Sequence, residues 1–228
     1  MVEKNIIFLG MPGSGKGTIS SFLQEKEDII QVSTGDIFRE EIKNKTQLGL
    51  EVEKIVSLGA YVPDDITNEI VKNKITQLEK DNKKFILDGF PRTIEQAEAL
   101  KVFCAENNKR IVSVINLNVP DEDIVTRTSS RVTCPNKECG ASFNTVFMPP
   151  KVEGKCDRCG TELVKRPDDN PDTIRERLKT YHDETEPLID FYKKEELLEN
   201  IDINIYDENV KEKTTKSAIE RINNRVND

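Results

Sequence analysis

The densest chemistry in this 228-residue chain lies in Gly10-Met11-Pro12-Gly13-Ser14-Gly15-Lys16-Gly17-Thr18, directly after the apolar run Ile6-Ile7-Phe8-Leu9. A buried strand that ends in a glycine-rich turn and feeds a helix leaves backbone N–H groups free above the helix N-terminus, a geometry that holds phosphate. Side chains at the glycines would block a polyphosphate, and Lys16 adds a mobile positive charge for the outer phosphates. A plain connecting turn would need neither the lysine nor the hydroxyl in register. Gly17 follows the lysine, so the hydroxyl arrives one place later, at Thr18. The nucleotide reading stands, and its subclass narrows.

A second group is Cys134, Cys139, Cys156 and Cys159, two close pairs with a sixteen-residue spacer. Each pair can wrap one edge of a tetrahedral ion, and Gly140 and Gly160, after each second cysteine, let the backbone turn toward the sulfurs. Zinc is the first choice, and iron also accepts four thiolates. Closed four-thiolate coordination would be structural, stabilising a segment too polar to fold on a core of its own. Disulfides are disfavoured in the intracellular setting expected for this chain. Four-cysteine ribbons also serve nucleic-acid-binding modules, but the net charge of −8 and the absence of tryptophan argue against one. Any anion site must therefore be locally basic. No apolar run is long enough to span a bilayer, and Met1 to Lys4 lead straight into a strand. A cytoplasmic protein without membrane or nucleic-acid partners is expected.

The elements that must position these residues alternate. Val2 to Leu9 reads as the first strand, followed by a helix with Ile19, Phe22 and Leu23 at helical spacing. Ile29 to Val32 is a second short strand; Ser33-Thr34-Gly35-Asp36 after it opens a helix, with Ser33 or Asp36 suited to capping. Two short helices to Gly59 form a small flap, and Asp64 or Asp65 caps the next helix, which carries Ile66, Ile70, Val71, Ile75 and Leu78. Phe85 to Asp88 is a third strand. Asp88 at its end and Arg92 in the turn after it point to the switch-point crevice of an open parallel sheet. The following helix carries Ile94, Ala97, Leu100 and Phe103, with Cys104 beside them as core.

Ile111 to Val119 gives a fourth strand, and a helix from Pro120 runs into Arg127 and Arg131. Turn chemistry then takes over through about Lys165, marking an inserted module. Asn170-Pro171-Asp172 starts a long helix that Pro187 interrupts. Leu197 to Tyr206 contains the fifth strand, around Ile201 to Ile205, and a final helix shows Val210, Ile219, Ile222 and Val226. The class is α/β, a parallel sheet flanked by helices. His182, the single histidine, reads as structural; Asp168 and Asp169 either partner lid arginines or stabilise the next helix start.

In order along nearly the whole chain, GMPGSGKGT (Gly10 to Thr18), STGD (Ser33 to Asp36), YVPDD (Tyr61 to Asp65), DGFPRT with Gln96 after it, and Arg166-Pro167-Asp168-Asp169 to Tyr181-His182 resemble adenylate kinase. The four-cysteine insertion is similar to the zinc-bearing lid of bacterial long forms. The resemblance implies a P-loop nucleoside monophosphate kinase fold with a five-stranded parallel sheet. It divides the chain into a core (1–32, 63–126, 167–228), a nucleoside-monophosphate flap (33–62) and a lid (127–166). It also implies a monomer that interconverts ATP plus AMP with two ADP, using Mg²⁺.

On the same resemblance Gly13, Ser14, Gly15, Lys16, Gly17 and Thr18 would hold ATP phosphates, with Arg127 and Arg131 on the ATP side and Ser142 and Phe143 beside the adenine. Thr34, Arg39, Ala60, Tyr61, Val62, Gly89, Phe90, Pro91, Arg92 and Gln96 would hold AMP. Arg166 and Arg175 would clamp phosphates, and Asp88 would orient Mg²⁺ through water. Two departures are visible: four residues separate the first cysteine pair where two are usual, and Val132 stands where many members have a second arginine.

The attacking phosphate oxygen of AMP is already ionised, so no general base is needed. The reaction asks for charge neutralisation and in-line positioning by Lys16, Mg²⁺ and convergent arginines, under covers that exclude water. Gln96 can pair with an adenine edge, but another acceptor remains open: a GTP:AMP or UMP/CMP kinase is the nearest alternative, and a zinc-ribbon binding module the alternative of another class.

Overall fold

The computed structural model describes residues 5–26, 29–136, 138–204, 206–207 and 209–227. The expectations for Val2 to Lys4, Ile205 and the Val226 side chain lie outside the described residues. Five parallel strands form the central sheet: β1 (Asn5–Leu9), β2 (Ile29–Ser33), β3 (Lys84–Asp88), β4 (Ile111–Asn118) and a fifth strand, Leu198–Asp202, in the spatial order second, third, first, fourth, fifth. β1 is buried along its whole length and pairs Ile7 with Leu87 and Val114. Near-continuous apolar runs are what a strand covered on both faces requires.

One layer packs Ile19 and Leu23 of α1 (Lys16–Lys26) with Ile6, Phe8 and Ile115 of the sheet. The other packs Val71, Ile75 and Leu78 of α4 (Asp64–Lys80), and Ala97, Leu100 and Cys104 of α5 (Ile94–Glu106), against Ile7, Leu87 and Val114. Between β2 and α4, α2 (Thr34–Lys43) and α3 (Gln47–Ser57) make a flap with its own cluster of Phe38, Val52 and Val62. Ser33 caps α2, its Oγ accepting from Asp36 N at 3.3 Å.

Several boundaries differ from the expectations. α6 (Asp121–Ser129) stops before Arg131, which instead opens β5 (Arg131–Thr133) in an antiparallel pair with β6 (Ser142–Asn144). The inserted module therefore holds a small hairpin that its turn-rich composition conceals. α7 (Pro171–Thr180), capped by Asn170, passes into a π-helical turn, Tyr181–Thr185, and α8 (Pro187–Lys194) restarts at Pro187. The fifth strand, β7, occupies the first half of the expected segment because Leu198 pairs with Val114; only Ile201 within it is buried, as suits a sheet edge. α9 (Val210–Asn227) closes the chain, packing Ile222 and Ala218 into the first layer. Asp64 caps nothing: Pro63 precedes α4 without a side-chain cap.

Candidate active site

One cavity of about 770 Å³ lies above the C-terminal ends of the strands. It is lined by the glycine-rich loop, the flap, the turn after β3 and the inserted module. Ten lysine or arginine side chains face it against five acidic ones, although the chain as a whole carries −8. Positive charge is focused there, as an anion site in an acidic protein demands.

The loop is shaped for close approach. At Gly10, with φ +132°, a Cβ would sit 2.7 Å from Leu117 O; at Gly13, with φ +83°, it would collide with the Thr128 hydroxyl. Ser14 Oγ, Thr128 Oγ1 and Arg127 Nη1 are buried and have no hydrogen-bond partner among the described residues. Orphaned donors around a helix N-terminus fit an anionic ligand. Lys16 Nζ donates to Gly10 O at 2.6 Å and Met11 O at 2.9 Å. Burial lowers its pKa to about 8; Asp88 partly offsets this, and Arg92 and Arg131 add to it. The lysine is thus cationic near neutrality, and a bound polyphosphate would raise its pKa.

Asp88 ends β3, buried, with its Oδ2 accepting from Gln31 Nε2 at 2.8 Å. Burial raises its pKa while Lys16 opposes the rise. A carboxylate that shares the cavity with Thr18 and the phosphate loop fits Mg²⁺ held by oxygen ligands.

On the flap side, Thr34 Oγ1 donates to Gly89 O at 2.7 Å, Arg92 Nε donates to the same carbonyl at 2.8 Å, and the Arg92 guanidinium lies 4.7 Å from the Tyr61 ring centroid. Gln96 is buried with its amide already engaged: Oε1 accepts from Arg92 N at 2.7 Å and Nε2 donates to Asp64 Oδ1 at 2.6 Å. Thr93 donates to Asp64 Oδ2 at 2.8 Å, so Asp64 ties α4 to the Arg92 loop instead of capping its helix.

Opposite lies the arginine cluster. Arg131 Nε donates to Asp169 Oδ2 at 2.8 Å, and Arg177 pairs with Asp168 at 2.5 Å. Arg39 lies 3.9 Å from Asp168 and Arg166 3.8 Å from Asp36, so flap and inserted module meet across the cavity. Burial, with Arg39 and Arg131 close by, lowers the Arg166 pKa to about 10. Burial opposes ionisation of Asp168, but Arg177 and Arg39 outweigh it and hold the carboxyl below its usual range. Both acids pair with arginines, but only Asp169 meets one of the inserted module, Arg131; the partners of Asp168 are Arg177 of α7 and Arg39 of the flap.

At the tip of the module the four sulfurs of Cys134, Cys139, Cys156 and Cys159 lie within 4.8 Å of one another. Cys134 is 3.4 Å from Cys159, and Cys139 is 3.6 Å from Cys156. A tetrahedron with metal–sulfur bonds of about 2.3 Å has edges near these lengths. The longer first spacing therefore closes on the same four-sulfur cage.

A family profile described as adenylate kinase matches residues 8–197. The chain belongs to the adenylate kinase family. It is 49% identical over 193 residues to an adenylate kinase of Caldicellulosiruptor saccharolyticus, covering 85% of this chain and 88% of that one. Over 198 residues it is 48% identical to an adenylate kinase of Archaeoglobus fulgidus, with 87% and 90% covered. A Staphylococcus aureus adenylate kinase matches at 47% over 199 residues, with 87% and 91% covered. The five-stranded parallel sheet with flanking helices is that of the P-loop nucleoside monophosphate kinases.

Most residues expected from the adenylate kinase resemblance line the cavity: Gly13 to Thr18, Thr34, Arg39, Ala60 to Val62, Asp88, Gly89, Pro91, Arg92, Gln96, Arg127, Arg131, Ser142, Phe143 and Arg166. Two do not. The Phe90 side chain packs in the core, and Arg175 is exposed on α7, paired with Asp172 at 3.0 Å. Arg177, two positions on, lines the cavity instead. Gln31 and Thr185, not expected at the site, also line the cavity, and so does Phe22, expected on the apolar stripe of α1. Only the spacing of Arg177, Tyr181 and Thr185 along one helix could have signalled the second. His182 stays outside the cavity, held by Glu186 and Asp121 at 2.9 Å each.

Proposed function

We propose that this adenylate kinase transfers the terminal phosphoryl group of ATP to AMP, giving two ADP. The observation that carries the reading is one shared cavity, with an orphaned phosphate cradle at one wall, an independently built flap at another and buried arginines between. In that arrangement Gly13 to Thr18 hold the donor phosphates, and Ser142 and Phe143 flank the adenine. Thr34, Arg39, the Ala60 to Val62 backbone, the Gly89 to Arg92 turn and Gln96 receive the acceptor. Lys16, Arg92, Arg127, Arg131, Arg166 and Arg177 neutralise and align the two polyanions. Arg177 takes the clamping role expected of Arg175.

Mg²⁺, when bound beside Asp88, supplies further charge neutralisation on the polyphosphate. The catalytic step needs no proton acceptor, in keeping with a cavity lined by no histidine among the described residues. Movement divides the chain into core (1–32, 63–126, 167–228), flap (33–62) and lid (127–166), a division supported by the separate clusters in the flap and around the cysteines. The lid cage binds zinc, which cross-links two turns that share little apolar surface. The working unit is a cytoplasmic monomer without nucleic-acid or membrane partners; no helix among the described residues is long and apolar enough to cross a membrane.

Steady-state assay of ATP with AMP, UMP, CMP and GMP tests the acceptor, and AMP is expected to be preferred. Lys16→Met should lower turnover by roughly a hundredfold or more with the circular-dichroism spectrum retained; near-normal turnover would refute the assignment. Metal analysis should find about one zinc per chain, with a lower melting temperature after chelation.

A further inference from the structure

The Arg92–Tyr61 stack joins two segments, the turn after β3 and the end of the flap, and a third element fixes both halves. Thr185 is 5% exposed, in the π-helical turn. Its Oγ1 donates to Arg92 O at 2.8 Å, across 93 positions of sequence, and lies 2.8 Å from the Tyr61 hydroxyl, across 124. A hydroxyl has one proton to give. With that proton committed to Arg92 O, the Tyr61 hydroxyl is the donor to Thr185, and the bridge has a single direction.

The π turn explains how Thr185 reaches this place. Arg177, Tyr181 and Thr185 all line the cavity. In an uninterrupted α-helix positions eight apart are rotated by about 80°. The wider turn, closed by Glu186 N donating to Tyr181 O at 2.9 Å, takes up part of that rotation and keeps Thr185 on the cleft face.

We propose that Thr185 is a positioning residue for acceptor binding. It sets the distance and tilt of the Arg92–Tyr61 pair and so tunes affinity for the nucleoside monophosphate without contributing to the donor site. The inference rests on Arg92 and Tyr61 belonging to the acceptor site.

Thr185→Val removes the hydroxyl at similar shape and leaves Arg92 O and the Tyr61 hydroxyl unbridged. Loss of these buried bonds should raise the KM and the calorimetric Kd for AMP about tenfold. The KM for ATP should stay within about twofold, and kcat at saturating AMP should fall less than AMP affinity does. Thr185→Ser, which keeps the hydroxyl, should restore most of the affinity. Equal losses for ATP and AMP, unchanged AMP affinity, or failure of a folded Ser variant to recover would overturn the proposal.

Arg92→Ala serves as the reference. If it leaves AMP affinity intact, the acceptor-site reading fails and takes the proposal with it. If it weakens AMP binding while Thr185→Val does not, the proposal alone fails. Should Thr185→Val melt at assay temperature, Tyr61→Phe removes the other side of the bridge without touching the helix. That variant should weaken AMP about threefold, and full affinity in it would equally sink the bridge.

Discussion

Arg175 and Arg177 are two positions apart on α7, and a helix turns by about 200° over two residues, so only one of them can face the cleft. The side that α7 turns inward is set by Thr173, Ile174 and Leu178, with Tyr181 just beyond its end, all buried, and Arg177 lies between Thr173 and Tyr181 on that side. Arg177 follows them into the cavity beside Asp168, while Arg175 points to solvent with its side chain 67% exposed. Arg177→Ala should therefore lower kcat/KM by roughly a hundredfold, and Arg175→Ala should change it by less than about twofold, the scale of an exposed ion pair. The opposite order in steady-state assays would show that α7 turns its other face to the substrates. Gln31 belongs to the same scale. Its hydrogen bond anchors one oxygen of Asp88 across adjacent strands, a contact that no local pattern announces.

Among the elements, α6 and the π-helical turn are joined at the base of the lid by His182. The imidazole bonds Glu186 at one nitrogen and Asp121 at the other, and these two carboxylates, Glu186 first, hold its pKa above the ordinary histidine value. Aromatic Tyr181 packs edge-on to it at 5.6 Å. A group whose folded pKa is raised lends stability that is complete below its unfolded pKa of about 6.5 and is lost as pH climbs through the folded value. His182→Gln should thus melt lower than the parent at about pH 6 and alike at about pH 9. With the ring more than a third exposed, the deficit should be less than about 1 kcal/mol. A gap that widened toward alkaline pH would contradict the clasp.

For the whole molecule, the fold brings charges together from segments far apart in sequence. Arg158, between the second pair of cysteines, reaches Glu25 of α1 at 2.7 Å and lies 5.9 Å from the Phe22 ring, whose face also carries Lys211 of α9 at 3.9 Å. The cysteine-bearing module is therefore tied to α1 by this pair. Both partners are partly exposed, so the tie is weak and sensitive to salt. Arg158→Glu should raise the KM for ATP by about twofold to fivefold at low ionic strength, and adding Glu25→Arg should recover most of the loss. No recovery in the double variant would mean that the two side chains act independently.

Local chemistry determined much of this protein. Glycines after a buried strand define a phosphate cradle, because backbone room and free N–H groups are properties of a few consecutive residues. Paired cysteines define a four-sulfur cluster of a size that suits a metal ion for the same reason, and alternating apolar runs define a parallel sheet with helices on both faces. Ser33 and Asn170 mark helix starts through bonds to residues three places away. Tertiary structure decided the rest. Leu198 begins the edge strand because β4 offers Val114 as its partner, and Asp64 serves Gln96 and Thr93 because α4 and α5 pack together. Arg177 rather than Arg175 enters the cleft because α7 turns inward the side that carries Thr173 and leads on to Tyr181. Thr185 joins two loops it could meet only after the chain had folded. These choices depend on contacts across tens to more than a hundred residues, whose energies come from burial and from pairing buried polar groups, and neither quantity exists until the core has formed.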